Sequence, residues 1–213
     1  MKFRGLVFIF ALFAIALFFA SQIPQTRQFL PNFLTQKQIK FKTLNLNDLQ
    51  NLPDLQVGDL VFRLGDEFDS VLIAQIGEWK YSHVGVVIDT APTQILHAIS
   101  DKRYAQNGVV ISSLDEFVSR ARKFGVARIN FLSAQEKRNL INSLNLRVGE
   151  EFVLAKSTES NLYCTTLIEH EIAQIYPNFA PAYTYIDAPF FRGEYLFPRA
   201  LAEFEGINMI YEY

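Results

Sequence analysis

One cysteine and three histidines carry most of the chemistry open to this 213-residue chain. Cys164 is its sole thiol, which excludes an intrachain disulfide and any multi-cysteine zinc or iron–sulfur site. It stands where a loop from Arg147 to Leu162 enters the segment CTTLIEHEIAQIY, in which Leu167, Ile168, Ile172 and Ile175 recur at helical spacing. A thiol in the first turn of a helix meets unpaired backbone N–H groups and the positive end of the helix dipole. Both favour thiolate, and the same N–H groups can hold an oxyanion. The expectation is therefore a Cys164 with a lowered pKa, competent for acyl transfer. A buried, inert thiol is the alternative.

His83 interrupts the apolar run SHVGVVI, where a polar ring must find a partner or stay neutral. Gly85, two residues on and on the same face, leaves room beside it. His97 lies in the next apolar run, QILHAI. A symmetric hairpin centred on Thr90 sets His83 directly opposite His97, with Cβ atoms about 5 Å apart. A base histidine oriented by a second polar side chain is what an activated nucleophile needs. The competing reading for each is a hydrogen-bonded core histidine. His170 follows Cys164 by six residues on one helix, which turns it through about 240° and moves it about 9 Å along. It is expected at the surface and not as the base for Cys164. His83, His97 and Cys164 also match the number and type of ligands of catalytic zinc. No sequence-near pair of the HxxxH kind supports that, so neither metal nor other cofactor is expected. Tyr81 and Tyr163, near the base and the nucleophile in sequence, are the candidate substrate contacts.

The elements that must position these residues follow from pattern. Strands are expected at Leu60–Phe62, Ser82–Ile88, Gln94–Ile99, Gly108–Ile111, Val126–Phe131 and Met209–Tyr211, with a loop at 89–93. Phe68, Val71, Leu72 and Ile76 fit a short amphipathic helix between Asp66 and Gly77. Ser113 with Glu116 and Ser133 with Glu136 match the S-x-x-E capping box. The second opens a helix with Leu140, Ile141 and Leu144 on one face. Tyr176-Pro177 stops the cysteine helix, and a short helix is expected near Arg199–Phe204. Mixed strands and helices make the class α+β.

Half the residues are apolar and 20% are charged, which excludes disorder for the bulk of the chain. A net charge of −2 with no basic stripe excludes nucleic acid as the partner. Lys2 and Arg4 precede an uncharged apolar run from Gly5 to Ala20, between a signal-peptide core and a full span of about 20 residues in length. Phe18 or Phe19 would occupy the −3 position of a cleavage after Ala20 or Ser21. The expected arrangement is an uncleaved signal-anchor over 1–23, a tether over 24–52 and a catalytic domain over 53–213. The N-terminal charges keep that end cytoplasmic and put the domain on the periplasmic side of the inner membrane. Cleavage and secretion are the alternative.

GDLVF, SHVGVVID and LHA, in that order, resemble the core of the NlpC-like cysteine peptidases of cell walls. Most of that superfamily places its cysteine before the GDLVF element. Here the histidine precedes the cysteine, which resembles the circularly permuted papain-like branch: YiiX-like hydrolases and relatives of lecithin:retinol acyltransferase. Tyr163-Cys164-Thr165 is similar to the opening of the YiiX-like cysteine helix. The resemblance implies a permuted papain-like fold, an antiparallel sheet packed against helices. It also implies Cys164 as nucleophile, His83 as general base and acid, and His97 as the residue orienting His83. YiiX-like members often carry glutamate at that third position, so His97 is a departure that leaves the substrate class open. The expected activity is thiol-dependent hydrolysis of an amide or ester through a thioester, on cell-wall peptides or lipid amides and esters. Acyl transfer at the same site, or a non-catalytic lipid- or peptidoglycan-binding module, are the alternatives.

Overall fold

Alternating apolar residues in six segments build one antiparallel sheet, and it supports everything in the site. The computed structural model describes residues 42–101, 106–188 and 191–213, which belong to a unit spanning Phe41–Tyr213. The expected anchor over 1–23 and most of the tether lie outside the described residues. Among the described residues no helix is long and apolar enough to cross a membrane.

The elements run β1 (Leu60–Gly65), α1 (Phe68–Ile76), β2 (His83–Thr90), β3 (Thr93–Asp101), β4 (Gln106–Ser113), α2 (Leu114–Ser119) and β5 (Ala121–Ile129). They continue with α3 (Ala134–Leu146), α4 (Cys164–Ile175), β6 (Thr184–Ile186), β7 (Gly193–Tyr195), α5 (Pro198–Ala202) and β8 (Ile207–Glu212). The sheet order is β4-β3-β2-β1-β5-β8, and β6 pairs only with β7. This is the expected α+β architecture, an antiparallel sheet with helices packed on it.

Period-2 alternation sends the two sets of side chains to two cores. Leu60, Phe62, Val84, Val86, Leu96 and Ala98 pack with Leu140 and Leu144 of α3 and with Leu167, Ile168 and Ile172 of α4. Val61, Val87, Ile95, Phe124 and Val126 pack with Phe117 and Val118 of α2. Leu44 and Leu49, expected in the tether, are buried in this second core around a 3-10 turn at Leu46–Asp48. The ordered unit therefore begins well before residue 53.

The β2–β3 hairpin differs from expectation. Its strands continue through Thr90 and Thr93, leaving only Ala91-Pro92 between them, with an irregularity between Val87 and Asp89. Val86 consequently faces Leu96 and Val87 faces Ile95, two residues away from the symmetric register. An even shift keeps every side chain on its face. His97 lands beside Gly85 rather than opposite His83, and a Cβ on Gly85 would stand 3.2 Å from the His97 Cβ. The glycine does leave room, but for His97.

α1 also departs from expectation. Only Ala74 is buried, while Phe68, Leu72 and Ile76 are exposed. Its apolar face does not close on the core.

Candidate active site

Both caps of α4 are made from its own sequence. The Thr166 side chain accepts a bond from the Tyr163 N–H, which fixes the first turn, and Tyr176 ends the helix ahead of Pro177. Two further bonds tie this turn to the chain leaving β7: Leu196 N–H donates to the Tyr163 hydroxyl, and the Thr165 hydroxyl donates to Leu196 C=O. Cys164 is thereby held rigidly at the start of α4, only 9% exposed.

His83 opens β2, and His97 sits in mid-β3. Both project from the α2 face, so they meet diagonally across the strand pair. His83 Nε2 and His97 Nδ1 are 2.9 Å apart. His97 Nε2 lies 3.2 Å from the Ser112 hydroxyl on β4, and both residues are buried. Phe117 of α2 closes this row from one side, its ring 5.8 Å from that of His83 and 5.3 Å from that of His97. Arg63 is paired across β1–β2 with His83, lies with its guanidinium 4.5 Å over the Phe117 ring and donates to Phe117 C=O.

Charge and burial set the protonation states. Burial, then the Arg63 cation, then the facing His97 ring hold His83 well below the ordinary imidazole range. Burial together with Arg63 and Arg120 does the same to His97. Both rings are neutral at pH 7. Burial pushes the Cys164 thiol up to about 11; the Val84 and Thr165 backbone groups and Arg63 pull in the other direction without overcoming it. The lowered thiol pKa expected from the helix start is thus not what the resting site has, because desolvation outweighs the helix terminus.

Cys164 and His83 border one cavity of about 740 Å³. No hydrogen bond joins sulfur to imidazole in this resting geometry, and catalytic contacts of this kind often tighten only around substrate. The His83 ring nitrogen facing away from His97, Nδ1, has no protein hydrogen bond and is the atom left to receive a proton. One wall of the cavity comes from α1 through Leu72, Ile73 and Ile76. Another comes from Leu154, Phe191 and Phe197.

The remaining candidates sort cleanly. Tyr163 borders the cavity, but its hydroxyl is engaged with Leu196. Tyr81 is buried between Phe62 and Trp79, donates to Phe124 C=O, and does not line the cavity. His170 is half-buried beside Glu169 and does not line the cavity. Among the described residues no group of three His, Cys, Asp or Glu side chains could hold a metal ion. Sequence reasoning missed Arg63, Phe117 and Ser112. Arg63 had a visible signal, the one charge in an otherwise apolar strand that is buried throughout; Ser112 becomes visible only once the strand pairing is known.

A cysteine at a helix start, a histidine at a strand start and a polar residue behind it, on an antiparallel sheet, are the arrangement expected of a permuted papain-like fold. Residues 54–180 match the family model of the permuted papain-like amidase enzymes, YaeF/YiiX, C92 family, and the chain belongs to that family. The fold is similar to the crystal structure of the metalloprotein yiiX from Escherichia coli O157:H7, at 14% identity and a TM-score of 0.64, over 76% of this chain and 99% of that one. A comparison with curated proteins finds no match. The family makes the chain a hydrolase of the amidase type. Among the described residues the donor set does not suit a metal ion.

Proposed function

We propose that the protein is a thiol-dependent amidase or esterase using Cys164, His83 and His97. The observation that carries this reading is the 2.9 Å bond from buried His97 to His83, which lines the cavity that also holds the only thiol. As substrate enters, His83 Nδ1 takes the proton from Cys164 as sulfur attacks the carbonyl carbon. The His83 Nε2–H donates to His97 Nδ1 and spreads the imidazolium charge. Backbone N–H groups in the first turn of α4 face the developing oxyanion. Collapse breaks the C–N or C–O bond, with His83 Nδ1–H returning its proton to the leaving amine or alcohol. Water then resolves the thioester by the reverse sequence; another acceptor in its place would make the reaction acyl transfer.

Of the two expected substrate classes, the cavity walls favour an acyl group with apolar surface. Leu72, Ile76, Leu154 and Phe191 are exposed there and have no core to serve. A polar cell-wall peptide would leave them wet. We further propose that the apolar run at Gly5–Ala20 anchors the domain on the exported side of the membrane, where either class is met.

Incubating the protein with N-acyl amines, acyl esters and muropeptides, then weighing it intact, tests the reading. An acyl adduct on Cys164 that Cys164→Ala abolishes is the expected result. Turnover of any of these by Cys164→Ala at the wild-type rate overturns it.

A further inference from the structure

The hydrogen bond between His83 and His97 has two possible polarities. An aspartate or asparagine oxygen behind a base histidine can only accept, so it fixes the tautomer of the base. A neutral histidine in that place can donate or accept through either nitrogen. What His97 does at Nδ1 is therefore decided by what it does at Nε2, where its sole hydrogen-bond partner is Ser112. The row crosses three strands by repeating one step. β3 and β4 pair Ile95 with Ser112 and His97 with Val110, so Ser112 stands diagonal to His97 as His97 stands diagonal to His83. Ser112 is only 4% exposed, and its hydroxyl makes no other protein hydrogen bond, so accepting from His97 leaves its own O–H without a protein acceptor. That cost is offset where His97 Nδ1 must accept the second N–H of a charged His83.

We propose that Ser112 is a positioning residue of the catalytic site, the acceptor that sets the direction of the whole row. This rests on the thiol-hydrolase reading above. With His97 Nε2–H donating to Ser112 Oγ, His97 Nδ1 presents its lone pair to His83 Nε2–H. His83 Nδ1 then faces the cavity unprotonated, ready for the thiol proton. In the opposite direction Ser112 donates, His97 Nδ1–H points at His83 Nε2, and His83 Nδ1 already carries a hydrogen. That state cannot act as base. It also has no acceptor for the second N–H of a His83 imidazolium, so two N–H groups would confront each other when the charge develops. The acceptor role of Ser112 therefore matters most in the charged intermediate. The thiol proton stops at His83 throughout; nothing is passed on to His97 or Ser112, which only orient.

Removing the hydroxyl leaves a buried Nε2–H without partner, which costs more than a bare lone pair. Ser112→Ala should thus tip His97 toward its Nδ1–H form. The test uses the full chain with p-nitrophenyl acetate as acylating probe and ring-15N histidine for two-bond proton–nitrogen spectra. Wild type should show Nε2–H on both His83 and His97. Ser112→Ala should move His97 to Nδ1–H and lower the nitrophenolate burst rate constant about 10- to 100-fold, the range seen for outer orienting partners, with half-saturation unchanged. Ser112→Thr, which keeps the hydroxyl, should restore the Nε2–H tautomer. A wild-type spectrum with His97 already Nδ1–H, or Ser112→Ala with unaltered tautomers, overturns the assignment. A slow Ser112→Ala with unaltered tautomers is a packing loss and counts against it equally. A wild type that gives no burst sinks the hydrolase reading instead, while the spectra still decide the role of Ser112.

Discussion

At Cys164 two effects oppose each other, and their sizes decide how the nucleophile works. The start of α4 offers backbone N–H groups to a thiolate, yet a 9% exposed sulfur loses most of its water. Burial wins, leaving the thiol near 11. With Arg63 opposing protonation of both rings, the resting pair is neutral thiol and neutral imidazole rather than thiolate and imidazolium. The iodoacetamide rate constant at Cys164 should then climb about tenfold per pH unit from 7 to 9, following the small thiolate fraction. A fast plateau already present at pH 6 would mean a preformed ion pair. The histidines should also separate by role. His83→Ala removes the base and nearly all its contribution to acylation. His97→Ala keeps the base but frees its tautomer, so the loss is smaller, and His97→Glu should recover part of it as an acceptor. Equal, severe losses in all three variants would show that His97 does more than orient. His170→Ala, at a position outside the cavity, should leave acylation unchanged. At this scale the sequence narrowed the candidates, since one thiol and three histidines leave few combinations. It could not tell the thiol pKa, because desolvation is a property of packing.

Single elements show what local pattern does and does not decide. Ser133 and Glu136 form both halves of the expected capping box, because that motif is closed within four residues. Ser113 caps α2, but Glu116 turns to Arg120 instead of back to its cap. The hairpin register came out two residues away, since loop length is settled by how far Thr90 and Thr93 keep pairing. The same-face relation of His83 and His97 survived because the error was even. α1 forms where a short helix was read, but only Ala74 is buried, and of the expected apolar stripe only Leu72 and Ile76 line the cavity, a distinction periodicity does not contain. The β6–β7 pair has three-residue strands with no alternation to detect. Gly85 is where this scale reaches the site. A Cβ there would lie 2.6 Å from Ile95 Cγ2, 3.1 Å from Leu96 O and 3.2 Å from His97 Cβ. Gly85→Ala must push β3 away from β2, for about 1–3 kcal/mol of overpacking strain. The His83–His97 bond should lengthen with it, so acylation should fall although no reacting group has changed. A stable Gly85→Ala with wild-type acylation would mean that the hairpin gives way without disturbing the imidazoles.

Across the whole molecule, the site sits at the end of β2, where α4 reaches the sheet from one side and α2 from the other. Chain order places the base and its orienting residue in the first half and the nucleophile in the second, so only the assembled sheet completes the site. The family match ends at residue 180, yet β8 beyond it supplies an edge strand through Ile207–Glu212 pairing with β5. A short helix was legible around Leu44–Leu52, where a 3-10 turn forms at Leu46–Asp48, but that Leu44 and Leu49 pack into the domain was not, because four leucines in a polar stretch do not say what they bury against. Burying two imidazoles in this frame couples catalysis to global stability. Their folded pKa values lie below the unfolded value of 6.5. Below about pH 6.5 the unfolded chain therefore binds protons that the native state refuses, and stability is lost as pH falls. Each ring can contribute at most about 1.4 kcal/mol per pH unit until its folded pKa is passed. Urea unfolding should accordingly show a clear drop in midpoint between pH 7.5 and 5.5, above the range in which ordinary carboxylates titrate. His97→Gln removes one of the two groups and should reduce that drop by about half, even if the variant is less stable at pH 7.5. A midpoint that does not change between the two pH values would mean that the rings accept protons in the folded protein, and that Arg63 and burial do not hold them neutral.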